Sequence, residues 1–208
     1  VTRVRKCQSA RVLLLAMALA PSAAGCHRPS LPRIAQVPQF ALRDQNGAEL
    51  RRDGLRGRVW IANFMFTSCP DVCPLLTAKM SGLRGRLVGD RADVRFVSFS
   101  VDPEHDTPAA LKKYALEHGA DLPDWRFLTG PLAEVEQVIV SGFKEALEPR
   151  PEVAGRARSI LHGSHFVLID RALSIRGYYP SDEEGMLRLA RDARILLAEK
   201  AEKAQGPS

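Results

Sequence analysis

The sequence predicts an α/β domain whose sheet is covered by helices on both faces, on three observations. An apolar, aromatic and β-branched run at residues 58–66 is followed by apolar positions at helical spacing through 72–87. A second strand-like run at 94–101 is followed by a threonine-proline helix start at 107–108. The chain then closes with two strand-like runs and a helix that opens on acidic residues. Strands alternating with helices, ending in a hairpin and a last helix, describe one sheet packed on two sides.

Taken in order, Gly47 and Gly54 punctuate a short polar hairpin region. Residues 58–66 then form a buried strand, and residues 67–74 form the turn at its end. Val72, Leu75, Leu76, Met80, Leu83 and Leu87 share one side of a helix for which Gly89 is the stop. In the run 94–101 Val94, Phe96 and Phe99 supply the apolar and aromatic content of a strand. Thr107 caps the next helix, Pro108 fills its first turn, and Gly119 ends it. Trp125 to Leu128 is a short strand and 132–140 another helix. Residues 166–170 and 174–179 pair as a terminal hairpin. Ser181, Asp182, Glu183 and Glu184 open the last helix, with carboxylates at the positive end of its dipole.

The 208 residues accommodate one domain of ordinary size and a targeting segment. Arg3, Arg5, Lys6 and Arg11 precede an apolar run from Val12 to Ala20, and Pro21, Ser22, Ala23, Ala24 and Gly25 follow it. This is the order of a secretory signal, and the apolar run is short of the roughly 20 residues an ordinary spanning helix needs. With that segment goes most of the positive charge: of a formal +6, only +2 belongs to the remainder. A nucleic-acid role thereby loses its compositional support. Ala23-Ala24-Gly25-Cys26 is similar to a bacterial lipoprotein box, so Cys26 is the expected lipid attachment point, with an uncleaved signal as the alternative anchor. The expected division is a signal over 1–25, a proline-punctuated tether over 26–38, a domain over 39–203 and a tail over 204–208.

The chemistry centres on Cys69 and Cys73, between a buried strand and an amphipathic helix. Both thiols are expected where the first backbone N–H groups of the helix are unpaired, a position that lowers a thiol pKa. Three intervening residues put the sulfurs about one helical turn apart, within reach of a disulfide or a shared metal. A purely structural disulfide would close so short a loop that it would remove little chain entropy. Structural zinc lacks ligands, since only these two cysteines remain in 39–203. The pair by itself indicates redox chemistry or a soft metal without choosing between them.

Phe64-Met65-Phe66-Thr67-Ser68-Cys69-Pro70-Asp71-Val72-Cys73-Pro74 resembles the F-x-[FY]-T-x-C-P-D-x-C-P pattern of the Sco (SenC) family. Members of that family are copper-binding, thioredoxin-fold proteins that assist assembly of cytochrome c oxidase. Residues 100–108, 125–130 and 162–170 agree with it as well, so the resemblance runs from about Phe40 to about Leu197. It implies a thioredoxin-like fold with a central mixed sheet flanked by helices. It also implies copper, as Cu(I) or Cu(II), held by Cys69, Cys73 and the distant His162, with Cys69 and Cys73 doubling as a redox pair. Two thiolates and an imidazole suit Cu(I), and with a further weak ligand they suit Cu(II).

His165 competes with His162 for the ligand role, and His105 lies in an acidic loop where no copper role follows from the resemblance. Asp71 and Asp102 are candidate supports for the ligands, each equally readable as a cap or turn carboxylate. Residues 144–161 form a charged stretch that is long for a loop without structure. The resemblance implies a metallochaperone working as a monomer at the outer face of the bacterial cytoplasmic membrane. Its partners would be the copper-bearing subunit of cytochrome c oxidase or another copper chaperone. The competing reading, a thiol-disulfide oxidoreductase that keeps the cysteines of an apo copper site reduced, needs Cys69 and Cys73 but not His162. A thioredoxin-superfamily peroxidase fits less well, because the second cysteine so near the first and the distant histidine suit ligation better.

Overall fold

The computed structural model describes residues 30–87, 94–144, 147–148, 160–161 and 165–203. Its elements are β1 (Ala35–Gln36), β2 (Ala41–Asp44), β3 (Glu49–Arg51), β4 (Val59–Met65), α1 (Val72–Leu87), β5 (Val94–Ser100), α2 (Pro108–Glu117), β6 (Trp125–Thr129) and α3 (Leu132–Glu136). Then come β7 (Leu147–Glu148), β8 (Ile160–Leu161), β9 (His165–Ile169), β10 (Ser174–Pro180) and α4 (Glu183–Lys203). Eight strands form one mixed sheet in the order β1-β10-β9-β4-β5-β6-β2-β3. β4, β5 and β6 run parallel at its centre, and β9 and β10 close it antiparallel on one side. The expected strands and helices are thus present, and α1 spans the predicted 72–87.

Side-chain alternation in β4 divides the core. Val59, Ile61 and Met65 face α1, α2 and α4, while Trp60, Ala62 and Phe64 face the other layer, which Val135, Val138, Ile139 and Phe143 cover. Every residue of β4 is buried, as expected of a central strand packed on both faces. On the second face Phe64, Phe99 and Phe143 meet ring against ring, the two contacts of Phe143 each at 5.3 Å between centroids.

Local chemistry explains the ends of the elements. The Thr107 hydroxyl accepts the Ala110 N–H at 3.2 Å and Pro108 occupies the first turn of α2, as its sequence predicts. Gly119, at φ +61, then takes the left-handed conformation that stops the helix. The helix predicted over 132–140 is α-helical only to Glu136 and continues as a π-helical turn over Gln137–Gly142. The wider turn lets Val138, Ile139 and Phe143 all reach the core. It also brings Gly142 so close to Pro38 that a β-carbon there would collide with the ring.

Two segments are more structured than their sequences suggest. Among the described residues, folded contacts reach back to Leu31, upstream of the boundary drawn at residue 39. The Arg176 guanidinium donates to the carbonyls of Leu31 (2.6 Å) and Pro32 (2.9 Å), and Ala35 and Gln36 pair with β10. Within the charged stretch 144–161, β7 and β8 pair antiparallel, Leu147 with Leu161 and Glu148 with Ile160. Among the described residues no helix is long and apolar enough to cross a membrane. Cys26 and the segment 1–25 lie outside the described residues.

Candidate metal and redox site

β4 and β5 end side by side, Met65 opposite Ser100, and their parallel register carries two loops to the same end of the sheet. The carboxyl ends of parallel strands are where open α/β sheets place their chemistry. The first loop holds Phe66 to Asp71 and leads into α1. In it the Cys69 N–H donates to the Phe66 carbonyl at 3.3 Å, closing a tight turn. The second loop holds Val101 to Thr107, and the Val101 N–H ties it to the Met65 carbonyl at 2.9 Å.

Both cysteines are free thiols, Cys69 partly exposed and Cys73 buried. The Cys73 N–H donates to Cys69 Sγ at 3.3 Å, so the first sulfur caps the helix on which the second sits. Burial raises the Cys69 thiol. The Cys73 thiol and the N–H groups of Cys73, Asp71 and Val72 outweigh that burial, and Cys69 ends below its ordinary value.

For Cys73 the expectation of a lowered pKa is corrected. Burial pushes its thiol up to about 12, and the neighbouring Cys69 and Asp106 add to the rise against a hydrogen bond with the Phe66 backbone. The reason is position: Cys73 lies inside the first turn of α1 and points into the core, where desolvation exceeds what the helix terminus offers. The partly exposed Cys69 thiol is thus made easier to ionise, whereas the buried Cys73 thiol beneath it is held protonated.

Two hydroxyls support the buried member. Thr77 Oγ1 donates to the Cys73 carbonyl at 3.0 Å, which leaves its oxygen to accept from the Tyr114 hydroxyl at 3.0 Å. Thr77 follows Cys73 by one helical turn on the buried side of α1, a spacing visible in the sequence though not used there.

The carboxylate that reaches the site is neither of those singled out. Asp71 is exposed, and Asp102 accepts from His105 Nδ1 at 2.8 Å. Instead the fully buried Asp106 accepts from the Thr67 backbone and hydroxyl and from the Ser100 hydroxyl. Burial raises its carboxyl against these donors. In the sequence it is marked by its place directly before the capping Thr107, within the segment 100–108 that agrees with the family.

His162 lies outside the described residues, between the end of β8 at Leu161 and the start of β9 at His165. His165 is partly exposed and stands edge-on to Tyr178 at 6.2 Å. Alternation along β9 puts it on the face of Val167 and Ile169, opposite the face on which Cys73 packs with Phe166 and Leu168. Among the described residues no three histidine, cysteine or acidic side chains cluster as a metal site. The two cysteines nonetheless suit a soft metal, since one sulfur is already ionisable and coordination would displace the proton of the other.

Fold and site together define a thioredoxin-like α/β protein of the Sco type, with a pair of free cysteines at the start of its first helix. The chain belongs to the SCO1/SenC family, whose description matches residues 30–197. A SCO1/SenC family lipoprotein from Bacillus anthracis superposes with a TM-score of 0.70 at 33% identity, covering 78% of this chain and 95% of that one. BsSco is a member of the Sco family of cytochrome c oxidase assembly proteins in which a disulfide switch has been identified. It superposes at 0.66 with 31% identity, over 79% and 94% of the two chains. ScoI of Bradyrhizobium japonicum with copper bound superposes at 0.67 with 27% identity, over 78% and 99%.

Proposed function

We propose that this protein binds copper through Cys69, Cys73 and His162 and uses it to help mature the copper centre of cytochrome c oxidase. The observation that carries the reading is the asymmetric cysteine pair. Cys69 is partly exposed and ionisable, while Cys73 is buried behind it and bonded to it through its N–H. Such a pair can take a soft cation at the surface and release it to thiolates or imidazoles on an acceptor. Membership of the SCO1/SenC family and the likeness to a copper-bound ScoI support that use of the pair. The partner is a protein presenting such donors, the copper-bearing oxidase subunit or another copper chaperone. The domain works outside the cytoplasm, held at the membrane through Cys26, and its likeness to a family lipoprotein supports this placement.

A second reading has its own observation. A partly exposed thiol of lowered pKa over a buried partner is also the arrangement that thiol-disulfide exchange uses, and a disulfide switch has been identified in BsSco. His162 separates the two readings, because imidazole ligates copper but takes no part in dithiol-disulfide cycling. The His162→Ala variant is expected to lose at least about tenfold in copper affinity, measured by competition with a chelator, consistent with removal of one ligand in three. Its disulfide potential should be unchanged and oxidase assembly in cells lost. If His162→Ala binds copper normally while His165→Ala does not, the ligand assignment fails. If it loses copper yet supports assembly in full, the thiol reductase is the function.

A further inference from the structure

Among the described residues at the cysteine end of the sheet, Asp106 is the one acidic side chain that is wholly buried, at 0% exposure. Among the described residues its hydrogen-bond donors are hydroxyls and a backbone amide, and none is a cation. Oδ1 accepts from Thr67 Oγ1 at 2.5 Å and from Thr67 N at 3.2 Å. Oδ2 accepts from Ser100 Oγ at 2.6 Å and from Thr67 N at 3.1 Å. The backbone of Asp106 is fixed as well, its N–H donating to the Asp102 carbonyl at 2.9 Å. Burying a carboxylate without a counter-ion is costly, so its retention here calls for a reason beyond packing.

The bonds suggest that reason. Thr67 is the second residue of the turn that the Cys69 N–H closes onto Phe66. That turn decides where Cys69 Sγ sits relative to the N–H groups at the start of α1 and to Cys73. Ser100 is the last residue of β5, so Asp106 locks the cysteine turn to the rigid centre of the sheet.

We propose that Asp106 is the positioning residue of the cysteine pair: by pinning Thr67 to the end of β5 it holds Cys69 within reach of Cys73. The inference rests on the reading of Cys69 and Cys73 as the working pair. It concerns how readily the two sulfurs meet and is read without copper, so its failure and that of the copper reading are distinguishable.

The test is the equilibrium of the reduced protein with glutathione redox buffers at fixed pH. The two thiols give up two electrons and two protons to glutathione disulfide, which becomes two glutathione thiols while the Cys69–Cys73 disulfide forms. Asp106→Asn keeps the shape but replaces the acceptor Oδ2 by a donor. It is expected to lower the equilibrium constant for the disulfide about tenfold, a potential less negative by about 30 mV for this two-electron couple. Thr67→Val, which removes only the hydroxyl donor, should move the potential the same way by less, and Thr67→Ser should restore it. Asp102→Asn, on the same loop but bonded to His105, should leave it in place. Should Asp106→Asn fail to fold, the Thr67→Val and Thr67→Ser pair carries the test. A folded Asp106→Asn with the wild-type potential, or Thr67→Val and Thr67→Ser indistinguishable from each other, overturns the proposal.

Discussion

Replacing Cys69 by serine isolates Cys73 and exposes how far burial controls the pair. The Cys73 side chain is 4% exposed, and burial is the first cause of the rise of its thiol from 9.0 to about 12. That cause survives the substitution. Near pH 8 such a rise cuts the thiolate fraction about a thousandfold relative to an ordinary thiol. The thiolate that remains is more nucleophilic, which with a Brønsted slope of about 0.4–0.5 returns roughly 15- to 30-fold. Titration alone therefore leaves Cys73 roughly 30- to 70-fold slower than an ordinary thiol, and its inaccessibility slows it further. Alkylation by iodoacetamide at pH 8, followed by mass spectrometry on the folded protein, should show Cys69→Ser reacting at least about 30 times more slowly than Cys73→Ser. In urea the two rates should converge. Rates within threefold of one another in the folded protein would refute the assignment of distinct roles to the two sulfurs.

The same burial sets a pH dependence. The fold favours the protonated Cys73 thiol, so this contribution to stability is complete below pH 9 and is lost as pH rises towards 12. The Tyr114 hydroxyl, pushed from 10.0 to about 12 chiefly by burial, acts in the same direction. The urea midpoint of the reduced protein should fall between pH 9 and 12. A flat midpoint across that window in wild type would contradict the burial argument.

Two further outcomes follow from the N-terminal side of the domain. Arg176 is 4% exposed, pairs with Asp170 at 2.8 Å and donates to Leu31 and Pro32, so Arg176→Met leaves the buried Asp170 carboxylate only the exposed Arg33 guanidinium at 4.0 Å as counter-charge. The expected loss is about 3–5 kcal/mol by urea unfolding, with earlier proteolysis near residue 31; a loss below about 1 kcal/mol would mean that the Ala172 and Ser174 amides and Arg33 satisfy Asp170 without Arg176. Intact mass of the mature protein should show an acylated Cys26 as its first residue, whereas an unmodified chain starting elsewhere would remove Cys26 from the anchoring account.

Most of the fold could be read from the chain because its cues are local. The apolar run of β4, the helical spacing of α1 and the Thr107-Pro108 start of α2 act within a few residues, and each element appears where those cues put it. The cysteine pair was legible for the same reason, since its spacing and its place before a helix are local facts. What the chain alone left open depends on contacts between distant segments. Nothing near residues 31–36 announces a strand, because what orders it is a guanidinium about 140 residues away. Asp106 reads as a loop carboxylate until Thr67 and Ser100 are brought to it by the parallel pairing of β4 and β5. The unlike acidities of Cys69 and Cys73 have the same origin. Helix position, a local property, favours ionisation, but desolvation is a property of the packed core, and only at Cys73 does it prevail.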